Sequence, residues 1–188
     1  MADVSENVEH YTYRNYLEFP ENMRCELIDG EVFMMASPSD WHQAMVVELC
    51  GQLRDFFRGK PCRVRVAPFD VRLFPKDDNS DDVVVQPDIM VICDESKRAD
   101  GRSCRGAPDF IIEVLSRSTR SHDLLRKRSR YEKAGVREYW AVGADAVFKY
   151  VLADGVYLET AYPVSTKPVD VPVDLFAGCV LRFDPNLD

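Results

Sequence analysis

Pro108-Asp109-Phe110-Ile111-Ile112-Glu113-Val114-Leu115-Ser116 sets one carboxylate, Glu113, inside a short run of β-branched, aromatic and aliphatic residues. A run of that composition and length reads as a strand buried on both faces. An ionised Glu in such a strand costs free energy unless a cation or a hydrogen-bond donor meets it. A second acid, Asp88, stands at the mouth of a similar run, Gln86-Pro87-Asp88-Ile89-Met90-Val91-Ile92. Two acids at two buried strands suggest a metal-dependent hydrolytic site.

The flanking sequence supplies a frame for those strands. Tyr11 to Leu17 reads as a short helix with Thr12 as N-cap, closed by Pro20-Glu21-Asn22. Cys25 to Met35 reads as a hairpin turning at Asp29-Gly30. Ser37-Pro38-Ser39 opens a helix from Asp40 to Arg58, with Met45, Leu49, Leu53 and Phe56 or Phe57 on its apolar face and Gly59-Lys60-Pro61 as its stop. Arg63 to Ala67 and Phe69 to Phe74 alternate as half-buried strands do, and Lys76 to Asp82 reads as an exposed acidic loop. A polar loop is expected from Asp94 to Gly106. After the Glu113 strand, Ser118, Thr119 or Ser121 would cap a helix ending at Gly135, and Val136 to Val142 is again a buried-type strand. Strand, helix, strand at this spacing makes a βαβ unit with parallel strands. The rest, Phe148 to Phe183, reads as antiparallel hairpin and edge strands. Together these make one α/β domain over residues 1–188, without repeats or a low-complexity linker.

Composition is that of an ordinary globular chain, 46% apolar and 30% charged. No apolar run approaches the roughly 20 residues that span a bilayer, and the polar, acidic start does not read as a secretory leader. A cytoplasmic protein is expected. The six cysteines contain no C-x-x-C pair, and in a chain of 188 residues no disulfide framework is expected. His10, His42 and His122 stand at no zinc-ligand spacing. A net charge of −8 argues against a polyanionic partner. Yet Arg117, Arg120, Arg126, Lys127, Arg128, Arg130 and Lys133 fall between positions 117 and 133 against only Asp123 and Glu132. That run is either a solvated helix face or a local phosphate-binding surface using Arg120, Arg126, Arg128 and Arg130.

Asp88, Glu113 and Lys127 are the candidate catalytic residues. Mg²⁺, or Mn²⁺ in its place, takes hard oxygen ligands, commonly one or two carboxylates with waters retained. Asp88 and Glu113 would supply the carboxylates and the Val114 backbone carbonyl a further oxygen. A lysine nearby would stabilise charge on the phosphoryl group. Lys127 is in reach on the following helix, with Asp123 and Tyr131 on the same face. Plainer readings stand beside these. Asp88 after Pro87 can shape the start of a strand, Glu113 can pair with an arginine, and Asp123 with Lys127 can be an ordinary helix pair.

The chain resembles the Uma2 family of restriction-endonuclease-type proteins, domain of unknown function 820, within the PD-(D/E)XK nuclease superfamily. The residues that carry the resemblance are Tyr13 with Tyr16-Leu17, Glu26-Leu27-Ile28-Asp29-Gly30-Glu31, Ser37-Pro38 followed by His42, and Gln86-Pro87-Asp88. They continue with Pro108-Asp109 leading to Glu113-Val114-Leu115-Ser116, Asp123 with Lys127 and Tyr131, and Gly135-Val136-Arg137-Glu138-Tyr139-Trp140. These matches span residues 11 to 160. The resemblance implies a restriction-endonuclease-like α/β core: a mixed sheet flanked by helices, with antiparallel hairpins added. Asp88 and Glu113 are then its two acids. The superfamily's lysine would stand at position 115, where this chain has Leu115, so Lys127 takes the role from the helix. Arg117 stands where the family usually carries proline. Glu26 would either supplement the site or flank the turn, His42 reads first as a structural histidine and second as a group facing the site, and Glu31 is better read as flanking the turn.

The leading expectation is a Mg²⁺-dependent DNA endonuclease, without a membrane segment and working as a homodimer through exposed strand edges. The alternative is a non-catalytic nucleic-acid-binding or assembly protein that keeps the nuclease fold. Intact acids at Asp88 and Glu113 favour the first, because a binding surface has no use for buried negative charge.

Overall fold

The computed structural model describes residues 9–98, 100–115 and 126–184. The expected helix caps Ser118, Thr119 and Ser121, together with Arg117, Arg120 and Asp123, lie outside the described residues. The order of elements is α1 (Tyr13–Tyr16), β1 (Cys25–Ile28), β2 (Glu31–Met34), α2 (Asp40–Phe56), β3 (Arg63–Val66), β4 (Asp70–Arg72), β5 (Val84–Val85) and β6 (Ile89–Ile92). A 3-10 turn (Glu95–Arg98), β7 (Ser103–Arg105), β8 (Phe110–Val114), α3 (Arg128–Ala134) and β9 (Glu138–Val142) follow. The chain closes with β10 (Ala146–Ala153), β11 (Val156–Pro163), β12 (Val169–Pro172) and β13 (Val180–Phe183).

The centre is a six-stranded mixed sheet in the order β11-β10-β9-β8-β6-β3. Only β8 and β9 run parallel, joined through α3 as the expected βαβ unit. Every residue of β6, β8 and β9 is buried, so their near-continuous apolar sequences follow from having both faces covered. Because strand side chains alternate, Phe110, Ile112 and Val114 pack with Met45, Leu49 and Leu53 of α2 and with Leu181 and Phe183 of β13. Ile111 and Leu115 face the other way, onto Val71, Val85, Tyr131 and Tyr139.

That second face differs from a sheet flanked only by helices. It carries α3 and a five-stranded sheet, β2-β1-β5-β4-β7, built on the predicted hairpin. At the hairpin's turn both Asp29 (φ 56°) and Gly30 (φ 81°) are left-handed, the pair of conformations a two-residue I′ turn requires. The loop expected from Asp94 to Gly106 contains β7, which pairs parallel to β4 and was not legible in so short a polar segment. The supposedly exposed acidic loop also holds an inward residue. Asp81 is fully buried, its Oδ1 2.5 Å from Arg72 Nη2 and its Oδ2 accepting from Arg72 Nε at 2.8 Å.

Helix boundaries follow their caps. Ser39 Oγ accepts from the His42 N–H at the start of α2, and Gly135 (φ 84°) stops α3. One disulfide, Cys62–Cys93, joins positions that extend the β3–β6 register by one residue. The cysteines thus form a single cross-strand bond, where none was expected. Cys25, Cys50, Cys104 and Cys179 are free.

Candidate active site

Register brings the two acids together before any side-chain contact is considered. Strands β6 and β8 are antiparallel with Ile89 opposite Ile112 and Met90 opposite Ile111. One step further along that register sets Asp88 opposite Glu113. Both share a face with Met90 and Ile111, because side chains repeat every second residue. At that step the carboxylates take over from the backbone ladder. The Val114 N–H donates to Asp88 Oδ2 at 2.8 Å, and the Asp88 N–H points at Glu113 Oε2 at 3.4 Å.

Lys127, at the N-cap position of α3, reaches between the two sheets. Its Nζ lies 3.0 Å from Glu113 Oε1 and 2.8 Å from Glu26 Oε1 of β1. Tyr131, one helical turn on, donates its hydroxyl to Glu113 Oε1 at 2.6 Å. Glu26 Oε1 also accepts from the Gln86 N–H at 2.7 Å, which ties the second sheet to the Gln86-Pro87-Asp88 segment. His42 completes the group from α2, with Nε2 3.1 Å from Asp88 Oδ2. Glu26, Glu113, Lys127, His42 and Tyr131 are each at most 9% exposed, so these polar groups meet one another and not bulk water.

Electrostatics follow from that burial. The Tyr131 phenol is pushed well above its ordinary range, first by desolvation and then by the negative charge of Glu113 and Glu26. It therefore stays protonated and serves only as a donor to Glu113. Behind Glu26, the Gln86 side chain donates to Asp70 Oδ1 at 2.9 Å and the Tyr16 hydroxyl donates to the same atom at 3.1 Å. Burial raises the Asp70 carboxyl, while those two donors partly offset the shift. The Tyr16–Asp70–Gln86 network had no signal in the sequence beyond the Tyr16 and Gln86 positions within matched motifs.

The candidate residues Asp88, Glu113, Lys127, Glu26, His42 and Tyr131 are thus brought together, and Val114 joins through its N–H. Arg126, Arg128 and Arg130 are not part of this cluster, and Arg120 lies outside the described residues. Arg126 pairs with Glu31 at 3.2 Å and lies over the Phe33 ring, and Arg128 stands 3.8 Å from Glu159. Arg130 Nε donates to Asp29 Oδ2 at 3.1 Å. Glu31 and Asp29 therefore flank the turn, as expected, and serve as anchors for α3. Such exposed pairs are worth only about 0–1 kcal/mol, so they leave these arginines able to exchange partners.

Glu26, His42, Asp88, Glu113, Val114 and Lys127 are among the residues lining a cleft of about 970 Å³. No three His, Cys, Asp or Glu side chains among the described residues are grouped as a ready-made metal cage. Mg²⁺ does not need one, since it binds through one or two carboxylates and keeps several waters. By donor chemistry the pair Asp88 and Glu113 fits it. Among the described residues Asp88 Oδ1 accepts no hydrogen bond, which leaves a hard oxygen at the cleft.

A mixed sheet with two acids at adjacent strand ends and a lysine from the next helix defines a protein of the restriction-endonuclease-like class. The family model described as "Uma2: Putative restriction endonuclease" matches residues 9–182, and the chain belongs to that family. A solved structure from Anabaena variabilis, described as a putative nuclease belonging to DUF820, is similar in fold. It superposes with a TM-score of 0.67 at 20% identity, covering 86% of this chain and 89% of that one. No curated protein matches the chain. No helix among the described residues is long and apolar enough to cross a membrane.

Proposed function

We propose that the protein is a metal-dependent endonuclease that hydrolyses phosphodiester bonds in DNA, with Asp88 and Glu113 holding Mg²⁺ or Mn²⁺. The observation that carries this reading is the hydrogen-bonded convergence of Asp88, Glu113 and Lys127 at the wall of a cleft. A divalent ion bound at the acids supplies a Lewis acid for the phosphoryl group and a more acidic water. The chain's own groups prepare the site. The Val114 N–H and His42 fix Asp88 through Oδ2, and Tyr131 fixes Glu113 through Oε1. Lys127 brings positive charge to the same edge, where it would offset charge on the phosphoryl oxygens.

One further feature supports a cation there. Among the described residues, Glu26 and Glu113 share the Lys127 ammonium and Asp88 meets the His42 imidazole. Closely placed carboxylate oxygens are the hard ligands that Mg²⁺ takes.

The Lys127 bridge between Glu26 and Glu113 also favours a second reading, in which the acids are simply paired inside a retained nuclease fold. Calorimetric titration with Mn²⁺ separates the two. The nuclease reading expects saturable binding in the wild type that is lost in Asp88→Asn at unchanged thermal stability. Absence of binding in the wild type favours the second reading.

A further inference from the structure

The acids make up only part of the cleft's lining, and much of the rest is apolar in a way the hydrolytic chemistry does not require. Met34 of β2 is 66% exposed, Val47 of α2 70% and Val66 of β3 39%, and all three line this cleft. Only seven large apolar side chains are exposed among the described residues, so nearly half of them converge here from three separate elements. Half-buried Phe33 and Val46 continue the same wall. Apolar side chains gathered at one site, beside polar groups, mark a surface that is covered when the protein works.

Two cations border that wall. Arg24 and Arg54 line the cleft, both are exposed, and neither takes part in an ion pair among the described residues. The cleft therefore offers an apolar surface, two available guanidinium groups and the acids in one continuous space.

Duplex DNA presents phosphates outward and keeps its bases stacked inside, so its recognition rests on rows of Lys and Arg. An apolar wall would leave duplex phosphates desolvated against Met34, Val47 and Val66. A single strand differs, because its unpaired bases offer apolar faces between successive phosphates. We infer that this cleft binds single-stranded DNA, with unpaired bases on the Met34–Val47–Val66 wall, phosphates at Arg24 and Arg54, and the scissile phosphate at the acids. The inference rests on the nuclease reading for the last of these placements only.

The test is fluorescence anisotropy of the full chain with one labelled oligonucleotide, either single-stranded or annealed to its complement, with Ca²⁺ present. The expected result is single-strand affinity at least about tenfold above duplex affinity, equivalent to about 1.4 kcal/mol. The double variant Met34→Gln, Val47→Gln changes apolar surface without changing charge, and should reduce single-strand affinity at least about tenfold. Val156→Gln with Leu158→Gln, on the outer strand β11 away from the cleft, should leave that affinity as it is. Thermal melts of both variants establish that they fold. Equal or tighter duplex binding, or single-strand affinity unmoved by the cleft variant, overturns the inference. So does failure to bind either form, which would mark the wall as a protein-docking surface. Cleavage of DNA without a single-strand preference refutes this inference and leaves the nuclease reading intact, and single-strand binding without cleavage does the reverse.

Discussion

Glu113 and Lys127 show how a single buried charge can organise its surroundings. Glu113 is 3% exposed and receives Tyr131 and Lys127 on one oxygen, while Lys127 also meets Glu26. Removing one member of such a set strands the others. Lys127→Met should destabilise the protein by about 3–5 kcal/mol, read as a lowered denaturation midpoint. A loss below about 1 kcal/mol would mean that the pair is effectively solvated. Glu138 gives a prediction of the opposite kind. Fully buried, it accepts from Trp140 Nε1 and the Leu175 N–H, yet burial still raises its carboxyl above the ordinary 4.5. A raised acid binds its proton more tightly folded than unfolded. Its contribution to stability is therefore full in acid below 4.5 and is lost as pH rises through the folded value. Thermal melts across pH should show Glu138→Gln gaining on the wild type over that interval, whereas a difference constant with pH would contradict the assignment. At this scale the sequence was informative about Glu113, because a charge inside an apolar run is conspicuous. Glu138 also falls in a run read as a buried-type strand, but with Arg137 beside it the charge is less conspicuous.

The hairpin β1–β2 is the element whose local sequence says most. Asp29-Gly30 demands a turn, the strands on either side are of equal length, and the register Ile28↔Glu31 follows directly. This hairpin carries Glu26 into the site on one strand and Met34 onto the cleft wall with the other. Gly30 must hold φ 81°, and a Cβ there would also press on the His10 ring. Gly30→Ala should cost at least about 1–2 kcal/mol, the left-handed penalty for a residue with a Cβ, visible as a lower melting temperature. An unchanged melt would mean that the turn relaxes at no cost. Elements whose pairing is remote were much less legible. Strand β7 is three residues of polar loop sequence stabilised by a parallel partner more than thirty positions earlier. Asp81 looks like any loop acid until the fold brings Arg72 to it, and the Cys62–Cys93 bond depends on β3 lying beside β6. None of these partners is local, so no window of sequence contains the information.

Across the whole molecule, the two sheets and α3 close around one polar cluster while the chain keeps a net charge of −8. The α/β class and the βαβ crossover could be read from strand and helix periodicity. Of the second sheet, the hairpin and β4 could be read, but β5 and β7 could not, because strands of two or three residues carry little periodic signal. The meeting of Asp88 with Glu113 was foreseen from their positions at two buried runs, and the β6–β8 register supplies the physical reason. Arg126, Arg128 and Arg130, which sequence reading offered as either a solvated helix face or a phosphate-binding surface, stand in surface pairs that include the hairpin's own acids. Among the described residues, Arg24 and Arg54 line the cleft beside an apolar wall that no motif announced. The most direct test of the account is DNA cleavage by the purified chain in Mg²⁺ or Mn²⁺, with supercoiled, linear and single-stranded substrates run beside Glu113→Gln. The account predicts cleavage by the wild type, abolished by chelation and by Glu113→Gln, with a thermal melt showing that the variant is still folded. Equal cleavage by the two proteins, or intact DNA in every wild-type reaction, would contradict it.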